Sequence, residues 1–174
     1  MGKLSLLLLV AISLLLSFPT EASVEKEKTL AIIKPDGLFG DYTDKIKTII
    51  LESGFIIVRE MTLQLNESDV ALFYAEHSGR SFFPSLVNYM TSGPVSIMVL
   101  EKANAIVDWR ILIGPTDARK ARLSHLGSIR AMCGSDLERN CVHGSDSPQS
   151  AAREITFFFG EMSSGENVAV HDEL

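Results

Sequence analysis

The chain has 174 residues, of which 46% are hydrophobic, and a formal net charge of −6 at pH 7. This length suits a single domain with a sizeable core. The acidic balance argues against general nucleic-acid binding, because a polyanion requires a basic surface. Any anionic ligand would have to meet basic residues that are focused at one place.

The first 22 residues have the pattern of a secretory signal peptide. Lys3 gives a short basic start, residues 4–16 are almost entirely apolar, and Thr20 and Ala22 are small residues spaced for cleavage after Ala22. The alternative is a transmembrane anchor, but the apolar run is shorter than the roughly 20 residues that a span needs. We therefore predict cleavage, a mature chain of about 150 residues and no membrane span after cleavage.

The mature chain opens with a short apolar strand, predicted over 28–33. The strand ends in Lys34-Pro35-Asp36-Gly37, and Pro-Asp-Gly favours a turn, so Lys34 is delivered to the strand end, where a loop begins. Between two later elements, Asn66-Glu67-Ser68 is an N-glycosylation sequon, which makes Asn66 a candidate glycosylation site on the surface. The periodicity predicts three elements in this half of the chain: a helix over 41–53, a strand over 55–65 and a helix over 68–76.

The second half of the chain continues the alternation of strands and helices. The run over 95–100 is apolar throughout, so we predict a central strand there. The basic segment 116–127 is predicted to be an irregular loop. A last short strand over 141–143 completes the order β-α-β-α-β-α-β-α, which favours an α+β sandwich with a ferredoxin-like core over a doubly wound sheet. The predicted helical segments are 86–90, 103–113 with Arg110, and 128–132 with Arg130.

The residues around His143 carry a chemical signal. His143 ends the last apolar run, a Gly-Ser turn follows it, and a helix then opens with Ser147 as its N-cap and Pro148 at its first position. The backbone N–H groups at a helix N-terminus favour an anionic group, and Glu154 lies about two turns into the helix, where it can orient the ring. The pattern indicates a nucleophilic histidine that handles phosphate, and a structural histidine is the alternative.

The chain has two cysteines, Cys133 and Cys141, which are too few for a disulfide framework. Neither lies in a metal-ligand pattern. An oxidising compartment would permit them to pair, but the sequence does not give their separation in space. We expect free thiols and no structural metal.

The polar segment 161–174 is typical of a flexible tail. It ends in His171-Asp172-Glu173-Leu174, an endoplasmic-reticulum retrieval signal that a receptor reads. Both chain ends together predict residence in the lumen of the endoplasmic reticulum, with the retrieval receptor as a partner. The predicted organisation is a signal peptide over 1–22, a domain over 23–160 and a tail over 161–174.

Two motifs resemble a known family, the nucleoside diphosphate kinases. One is Lys34-Pro35-Asp36-Gly37 after a strand, and the other is Asn140-x-x-His143-Gly144-Ser145-Asp146-Ser147 before a helix. The similarity runs from about Lys28 to Phe159. The resemblance implies a four-stranded antiparallel sheet and transfer of the terminal phosphate of ATP to nucleoside diphosphates through a phosphohistidine, by a ping-pong route. It also implies Mg²⁺ bound through the nucleotide phosphates rather than in a protein cage.

The resemblance implies a role for each matching residue. His143 matches the nucleophile, Glu154 the acid that orients it, and Ser145 the neighbour of that acid. Tyr74 matches the tyrosine near the catalytic ring, and Phe82 matches the aromatic residue on which the base stacks. The phosphate and ribose contacts match Lys34, Arg110, Thr116, Arg130 and Asn140, and the lid over the nucleotide matches Arg80 and Leu86.

The segment from Thr116 to Arg130 departs from the family pattern. It is about three residues longer than in the common cytosolic enzymes, and it resembles a divergent branch related to flagellar and ciliary members. Because this loop builds the threefold contact in the family, we expect a homo-oligomer that is a dimer rather than the hexamer. That branch includes members with weak activity, so a weakly active or inactive nucleotide-binding or scaffold protein is the alternative to an active kinase.

Overall fold

The structure, a computed structural model, describes residues 25–160. The predicted signal peptide and the predicted tail with its retrieval signal lie outside the described residues. The strands are β1 Glu27–Ile33, β2 Ile56–Leu63, β3 Val95–Lys102 and β4 Val142–Gly144. The helices are α1 Pro35–Phe39, α2 Thr43–Glu52, α3 Glu67–Phe73, α4 Phe83–Met90, α5 Ala105–Ile113, α6 Ala118–Ser124, α7 Ile129–Cys133 and α8 Pro148–Phe159, with one turn of 3-10 helix over Ala75–His77. None of the helices within 25–160 combines the length and the hydropathy that crossing a bilayer requires.

The four strands form one antiparallel sheet in the order β2-β3-β1-β4, which confirms the predicted fold class. Residues 95–100 of β3, which are apolar apart from Ser96, are all buried, and β3 lies between β2 and β1, as predicted for a central strand. At the edge, the short strand β4 pairs with β1 so that His143 lies opposite Ile32. The register of a central strand therefore fixes the backbone position of this histidine.

Helices cover the sheet on both faces. Leu30 and Ile32 of β1 belong to one buried cluster, while Ala31 and Ile33 belong to another. The first cluster includes side chains of α3, α4 and α8, and the second includes side chains of α2, α5 and α7. Because successive side chains of a strand point to opposite faces, the apolar run 30–33 of β1 contributes to both cores.

Helix α8 begins as the sequence predicted. Ser147 Oγ accepts a hydrogen bond from the backbone N–H of Ser150 at 3.1 Å, and Pro148 takes the first helical position. The helix ends before Gly160, whose φ of 71° lies in the left-handed region. Glu154 is buried within this helix, 5% exposed, so its carboxylate is available to the interior rather than to solvent.

Two segments that were predicted as loops are helical. The chain after Lys34 forms α1, because Pro35 at the first helical position is compatible with a helix start as well as with a turn. The prediction of an irregular loop over 116–127 is also wrong, since α6 lies within it. Asp117 caps α6 by accepting a hydrogen bond from the Arg119 N–H at 3.0 Å, and the alanine, arginine, lysine and leucine residues that follow favour a helix. The other predicted elements are present, with ends that differ by a few residues.

The expectation of free thiols is wrong. Cys133 and Cys141 form a disulfide, and their Cα atoms are 5.8 Å apart. Cys133 is the last residue of α7 and Cys141 directly precedes β4, so the two elements bring together residues that the sequence separates by eight positions. Such a distance is decided by how α7 packs on the sheet, which the local sequence does not specify.

Candidate active site

His143 lies in β4, and a side chain of helix α5 holds its backbone in place. The Trp109 Nε1–H donates a hydrogen bond to the His143 carbonyl at 3.1 Å. The same indole packs against Gly144 so closely that a Cβ there would lie 2.5 Å from a Trp109 ring atom. Only glycine permits this approach, which gives the His-Gly pair of the motif a packing reason.

The imidazole of His143 is part of a short chain of hydrogen bonds. His143 Nε2 and Glu154 Oε2 are 2.8 Å apart, and Ser145 Oγ donates to the same carboxylate oxygen at 2.7 Å. Ser145 Oγ in turn accepts from the backbone N–H of Leu30 at 3.1 Å. Because an ionised carboxylate only accepts hydrogen bonds, Glu154 selects the tautomer with the proton on Nε2 and leaves a lone pair on Nδ1. Within residues 25–160, Nδ1 has no hydrogen-bond partner.

Aromatic rings surround the imidazole. The Phe73 and Tyr74 ring centroids lie 5.4 Å and 6.2 Å from that of His143, both edge-on. Tyr74 is 7% exposed and lines the cleft, and its hydroxyl is buried without a hydrogen-bond partner in the described part of the chain. Burial, with a smaller contribution from the Glu154 carboxylate, raises the pKa of Tyr74, so the hydroxyl remains a neutral donor.

Within residues 25–160, four lysine and arginine side chains line the same cleft; Arg119 is paired with Asp117 at 3.1 Å, and the other three lie around Asn140 and Val142 or on α5. Lys34 is 6% exposed, and its Nζ donates to Asn140 Oδ1 at 2.8 Å. The Arg130 guanidinium donates to the carbonyls of Gly114 and Val142, while its buried Nε has no partner among the described residues. The third is Arg110, which is exposed and lines the cleft from α5.

The pKa values of Lys34 and Arg130 are lowered because both side chains are buried near another positive charge. Burial, with a smaller contribution from the positive charge of Arg130, lowers the pKa of Lys34 to about 8. Burial and then repulsion by Arg110 lower the pKa of Arg130 to about 10. An anionic ligand among the three would relieve both the desolvation and the repulsion, so the arrangement fits polyphosphate.

Asn140 is fixed in place on its other side. Its Nδ2 group donates to the carbonyls of Thr116 and Leu137, at 3.0 and 2.9 Å. With Oδ1 occupied by Lys34, the amide joins three parts of the cleft that are distant in sequence. Thr116, which was predicted to contact the nucleotide, lines the cleft.

The far end of the cleft is apolar and open. Phe82 and Leu137 are 46% and 57% exposed, although both are large hydrophobic side chains. Leu86 also lines this cleft, and the rings of His77 and Phe82 are 5.7 Å apart. Exposed apolar side chains in a cavity are suited to a flat ring system, because stacking on it removes them from water.

The cleft encloses a volume of about 780 Å³, within the usual range for small-molecule sites. Most residues predicted from the sequence line it. Ser145 is instead buried behind Glu154, and Arg80 is exposed and outside the lining. The cleft brings together the predicted residues Lys34, Tyr74, Phe82, Leu86, Arg110, Thr116, Arg130, Asn140, His143 and Glu154.

The sequence interpretation missed some residues that build the site. Phe73 and Leu137 line the cleft, but each is an isolated hydrophobic residue without a motif. Asp36 was interpreted as part of a turn, yet its carboxylate accepts hydrogen bonds from the Tyr89 hydroxyl and from the Cys141 N–H, which links α4, α1 and the start of β4. Asp146 belongs to the quoted motif and lines the cleft beside His143.

Comparisons with known proteins agree on one family. The family model described as nucleoside diphosphate kinase matches residues 27–163. A protein of Arabidopsis thaliana described as probable nucleoside diphosphate kinase 5 is 62% identical over 144 residues, which cover 82% of this chain and 100% of that protein. Among solved structures, the nucleoside diphosphate kinase of Aquifex aeolicus is 41% identical with a TM-score of 0.76, over 78% of this chain and 96% of that one. The enzyme of Halobacterium salinarum, solved in complex with CDP, is 37% identical with a TM-score of 0.74, over 79% of this chain and 90% of that one.

Proposed function

Because the chain belongs to the nucleoside diphosphate kinase family, and so transfers the terminal phosphate of a nucleoside triphosphate to a nucleoside diphosphate, we propose that His143 carries the phosphoryl group between the two nucleotides. The observation that carries this proposal is that His143 Nδ1 has no hydrogen-bond partner among residues 25–160, while Nε2 of the same ring is bound by a buried glutamate at 2.8 Å. A nucleophile needs a free lone pair that points at the substrate, and His143 lines the cleft.

The reaction then proceeds in two balanced halves. Nδ1 attacks the γ-phosphorus of the triphosphate, the bond from that phosphorus to the bridging oxygen breaks, and the nucleoside diphosphate leaves with the bond electrons. In the second half, a terminal oxygen of the acceptor diphosphate attacks the same phosphorus and the P–N bond breaks. Glu154 stabilises the positive charge that the ring gains in the phosphorylated state, and the Ser145 hydroxyl keeps that carboxylate in place.

The other cleft residues position the nucleotide and balance its charge. Phosphoryl transfer gains most from positioning and from stabilisation of the charge on the phosphoryl oxygens. We assign that role to the cluster of cations and to the buried Tyr74 hydroxyl, and we assign the base to the space between Phe82 and Leu137. Leu86 lines this end of the cleft. The role of Arg80 as a lid residue stays a prediction, because its side chain would have to move to reach the ligand. The phosphate and ribose contacts proposed here are Lys34, Arg110, Thr116, Arg130 and Asn140.

Mg²⁺ is proposed as a cofactor that arrives with the nucleotide. Within residues 25–160, no group of three or more histidine, cysteine, aspartate or glutamate side chains is arranged to hold a metal ion. An Mg²⁺ ion that is held mainly through phosphate oxygens and water does not require such a group. Asp146 is an exposed carboxylate of the cleft, and its hydrogen bond with Ser150 lowers its pKa, so it is suited to accept from a water of the ion. When bound, Mg²⁺ neutralises charge on the phosphates.

The test of the chemistry uses labelled ATP. Purified mature protein incubated with ATP labelled at the γ-phosphate should acquire an acid-labile, alkali-stable label, and unlabelled GDP or UDP should then remove it as labelled triphosphate. ATP labelled at the α-phosphate is the matched control and should leave the protein unlabelled. A protein that transfers phosphate to the acceptor without passing through a labelled form would contradict the ping-pong route.

We also propose that the protein resides in the lumen of the endoplasmic reticulum, held there by the retrieval receptor. The support is the N-terminal signal, the C-terminal His-Asp-Glu-Leu and the Cys133–Cys141 disulfide, since disulfides persist in oxidising compartments. Removal of the last four residues should send the protein into the medium with unchanged kinase activity. Retention of that truncated form in the cell would contradict the role of the tail.

Asn66 is proposed to carry a glycan in that compartment. Its side chain is exposed at the start of α3, where Oδ1 accepts from the Asp69 N–H at 2.9 Å. Glycosylation uses Nδ2, so the helix cap and the glycan do not compete. Digestion with an endoglycosidase specific for high-mannose glycans should shift the mobility of the retained protein. Ser68→Ala is the matched control, because it removes the sequon and leaves the Asn66 cap intact.

The assembly is proposed to be a homodimer. The support is the altered segment between Thr116 and Arg130, which folds around α6 and carries Leu123 and Leu126, 86% and 79% exposed. A contiguous patch of exposed apolar side chains is typical of a protein–protein contact, and two leucines three residues apart could contribute to one. Light scattering of the mature protein should give twice the mass of one chain, and a stable hexamer would refute the proposal.

A further inference from the structure

One side of the cleft is an irregular stretch of chain that a disulfide closes. Residues 134–140, which we call the cleft wall, contain no helix or strand, and the Cys133–Cys141 disulfide joins the residues on either side of them. The wall supplies four residues of the cleft lining: Asp136, Leu137, Glu138 and Asn140.

Both cysteines are attached to elements that carry residues of the proposed active site. Cys133 ends α7, the helix of Arg130, and Arg130 donates to the carbonyl of Val142 at 3.1 Å. Cys141 directly precedes β4, the strand of His143. The disulfide therefore links the end of α7 to the start of β4, and the wall is the segment of chain that connects these two elements.

The backbone of Cys141 is in an unfavourable conformation that needs external support. Its φ is 71°, in the left-handed region that non-glycine residues rarely adopt. Its N–H donates to Asp36 Oδ2 at 3.0 Å and its carbonyl accepts from the Lys34 N–H at 2.8 Å. The disulfide is the covalent part of this support, and it acts on the residue that joins Asn140 to β4.

The wall is bonded both internally and to its surroundings. Asp136 Oδ1 accepts from the N–H groups of Glu138 and Arg139, both at 2.8 Å, and Asn140 Nδ2 donates to the Leu137 carbonyl at 2.9 Å. Its partners outside the wall include the side chains of Lys34, Ser85 and Arg122, the Thr116 carbonyl and the Ala118 N–H. Each of these hydrogen bonds contributes modestly, whereas the disulfide joins the two ends of the wall covalently. The bonds among His143, Glu154 and Ser145 involve no wall residue.

From this arrangement we propose that the Cys133–Cys141 disulfide positions Asn140 and Leu137 for the nucleotide, so that its reduction weakens nucleotide binding and leaves the phosphoryl-transfer step largely intact. The cysteines are positioning residues in this proposal, which rests on the proposed nucleotide contacts of the wall. The kinase would then reach its full nucleotide affinity only where thiols are oxidised.

The redox step is ordinary thiol–disulfide exchange with a dithiol. One reductant thiolate attacks the sulfur of Cys133, which is partly exposed whereas Cys141 is fully buried, and the S–S bond breaks with Cys141 leaving as thiolate. The second reductant thiol displaces Cys133 from the mixed disulfide. The protein gains two electrons and two protons, and the dithiol becomes a cyclic disulfide.

The first experiment separates KM from kcat in three matched samples: oxidised wild type, wild type reduced with dithiothreitol, and the double variant Cys133→Ala with Cys141→Ala. Mass spectrometry confirms the state of the bond. Reduction should raise the KM for ATP and for the acceptor about tenfold and change kcat less than about twofold. The double variant should have the same KM and kcat as the reduced protein, and dithiothreitol should not change them. Unchanged KM with an open disulfide, or a fall in kcat alone, would overturn the proposal.

A second experiment needs only wild-type protein, so it stays decisive if the variant folds poorly. Because coupling between two equilibria is reciprocal, saturating ADP should shift the equilibrium between disulfide and dithiols in a dithiothreitol buffer toward the disulfide by the same factor of about ten. No shift would overturn the proposal. Failure of the kinase chemistry is distinguishable, since it would leave oxidised wild type without labelled histidine.

Discussion

The two ends of the cleft are constructed from different parts of the fold. The histidine end is made of side chains on regular elements: β1 contributes the Leu30 N–H, β4 contributes His143, and α8 contributes Glu154. The nucleoside end is made of exposed Phe82 at the start of α4 and of the irregular cleft wall with exposed Leu137. The proposed reacting group is on the sheet, where its position is held closely, while the proposed surface for the base is at a helix start and on an irregular segment.

This contrast predicts that mutations at the two ends separate kinetically. Changes at the histidine end should lower kcat because they alter the reacting group. Changes at the nucleoside end should raise KM because they alter contacts that are the same in the ground state and the transition state.

The largest expected effect is that of His143→Ala. The variant has no nucleophile, so labelling by γ-labelled ATP and phosphate transfer should fall to background, while fluorescence titration with ADP should still detect binding. His125→Ala changes an exposed histidine outside the cleft lining and should behave as wild type. Near-normal transfer by His143→Ala would refute the phosphohistidine.

A smaller but still catalytic effect is expected for Glu154→Gln. The neutral amide no longer stabilises the charged ring, and it can present either an oxygen or an N–H to Nε2, so kcat should fall roughly 10²-fold with KM changed by less than threefold. Glu67→Gln, an exposed position at the start of α3, is the control. If KM rises and kcat does not change, Glu154 belongs to binding and the division of the cleft is wrong.

The pH dependence tests the cation that lies between the two ends. Lys34 has a pKa of about 8 and loses its charge above that pH, so kcat/KM should decline above pH 8, by up to tenfold per pH unit. A flat profile up to pH 9.5 in wild type would contradict the assignment. Lys34→Gln should give a lower profile without this decline, because no charge remains to be lost.

Unfolding does not explain such a decline. The pKa of Lys34 is lowered in the folded state from 10.5 to about 8, so the folded chain binds fewer protons than the unfolded chain between these two values. This residue therefore makes the free energy of unfolding rise with pH across that window, opposite in sign to the loss of affinity. A thermal melt at pH 8 and at pH 9 separates the two effects.

The smallest expected effect is that of Leu137→Ala, which removes apolar contact area from the nucleoside end. The KM for ATP, GTP and UTP should rise together by roughly 3- to 10-fold, and kcat should not change. Leu72→Ala, 67% exposed on α3 and outside the cleft lining, provides the control. A loss that is confined to one base would show that Leu137 reads base identity rather than stacking.

Much of the catalytic end was predictable from the sequence because its parts lie close together in the chain. His143, Ser145 and Glu154 lie within twelve residues, and the Ser147 cap with Pro148 fixes where α8 begins. Once β4 and α8 are assigned, the short connection between them keeps His143 close to Glu154. The nucleoside end was only half predicted: Phe82 was found through the family resemblance, and Leu137 was not, because an isolated leucine between polar residues has no distinctive pattern.

The sequence by itself determined the order of most elements, the central strand β3 and the motif residues, because periodicity, capping and turn chemistry act over a few neighbouring residues. The four-stranded antiparallel sheet was implied by the family resemblance, and helices α1 and α6 were not predicted. It also determined the chemistry available at the site, because side-chain type is written directly in the chain. Only the tertiary structure decided that Cys133 and Cys141 are bonded, that Asp36 holds Tyr89 and the Cys141 N–H, and that Lys34 is buried with a pKa of about 8. Each of these depends on a distance or a burial set by the packing of remote segments, which local sequence does not encode.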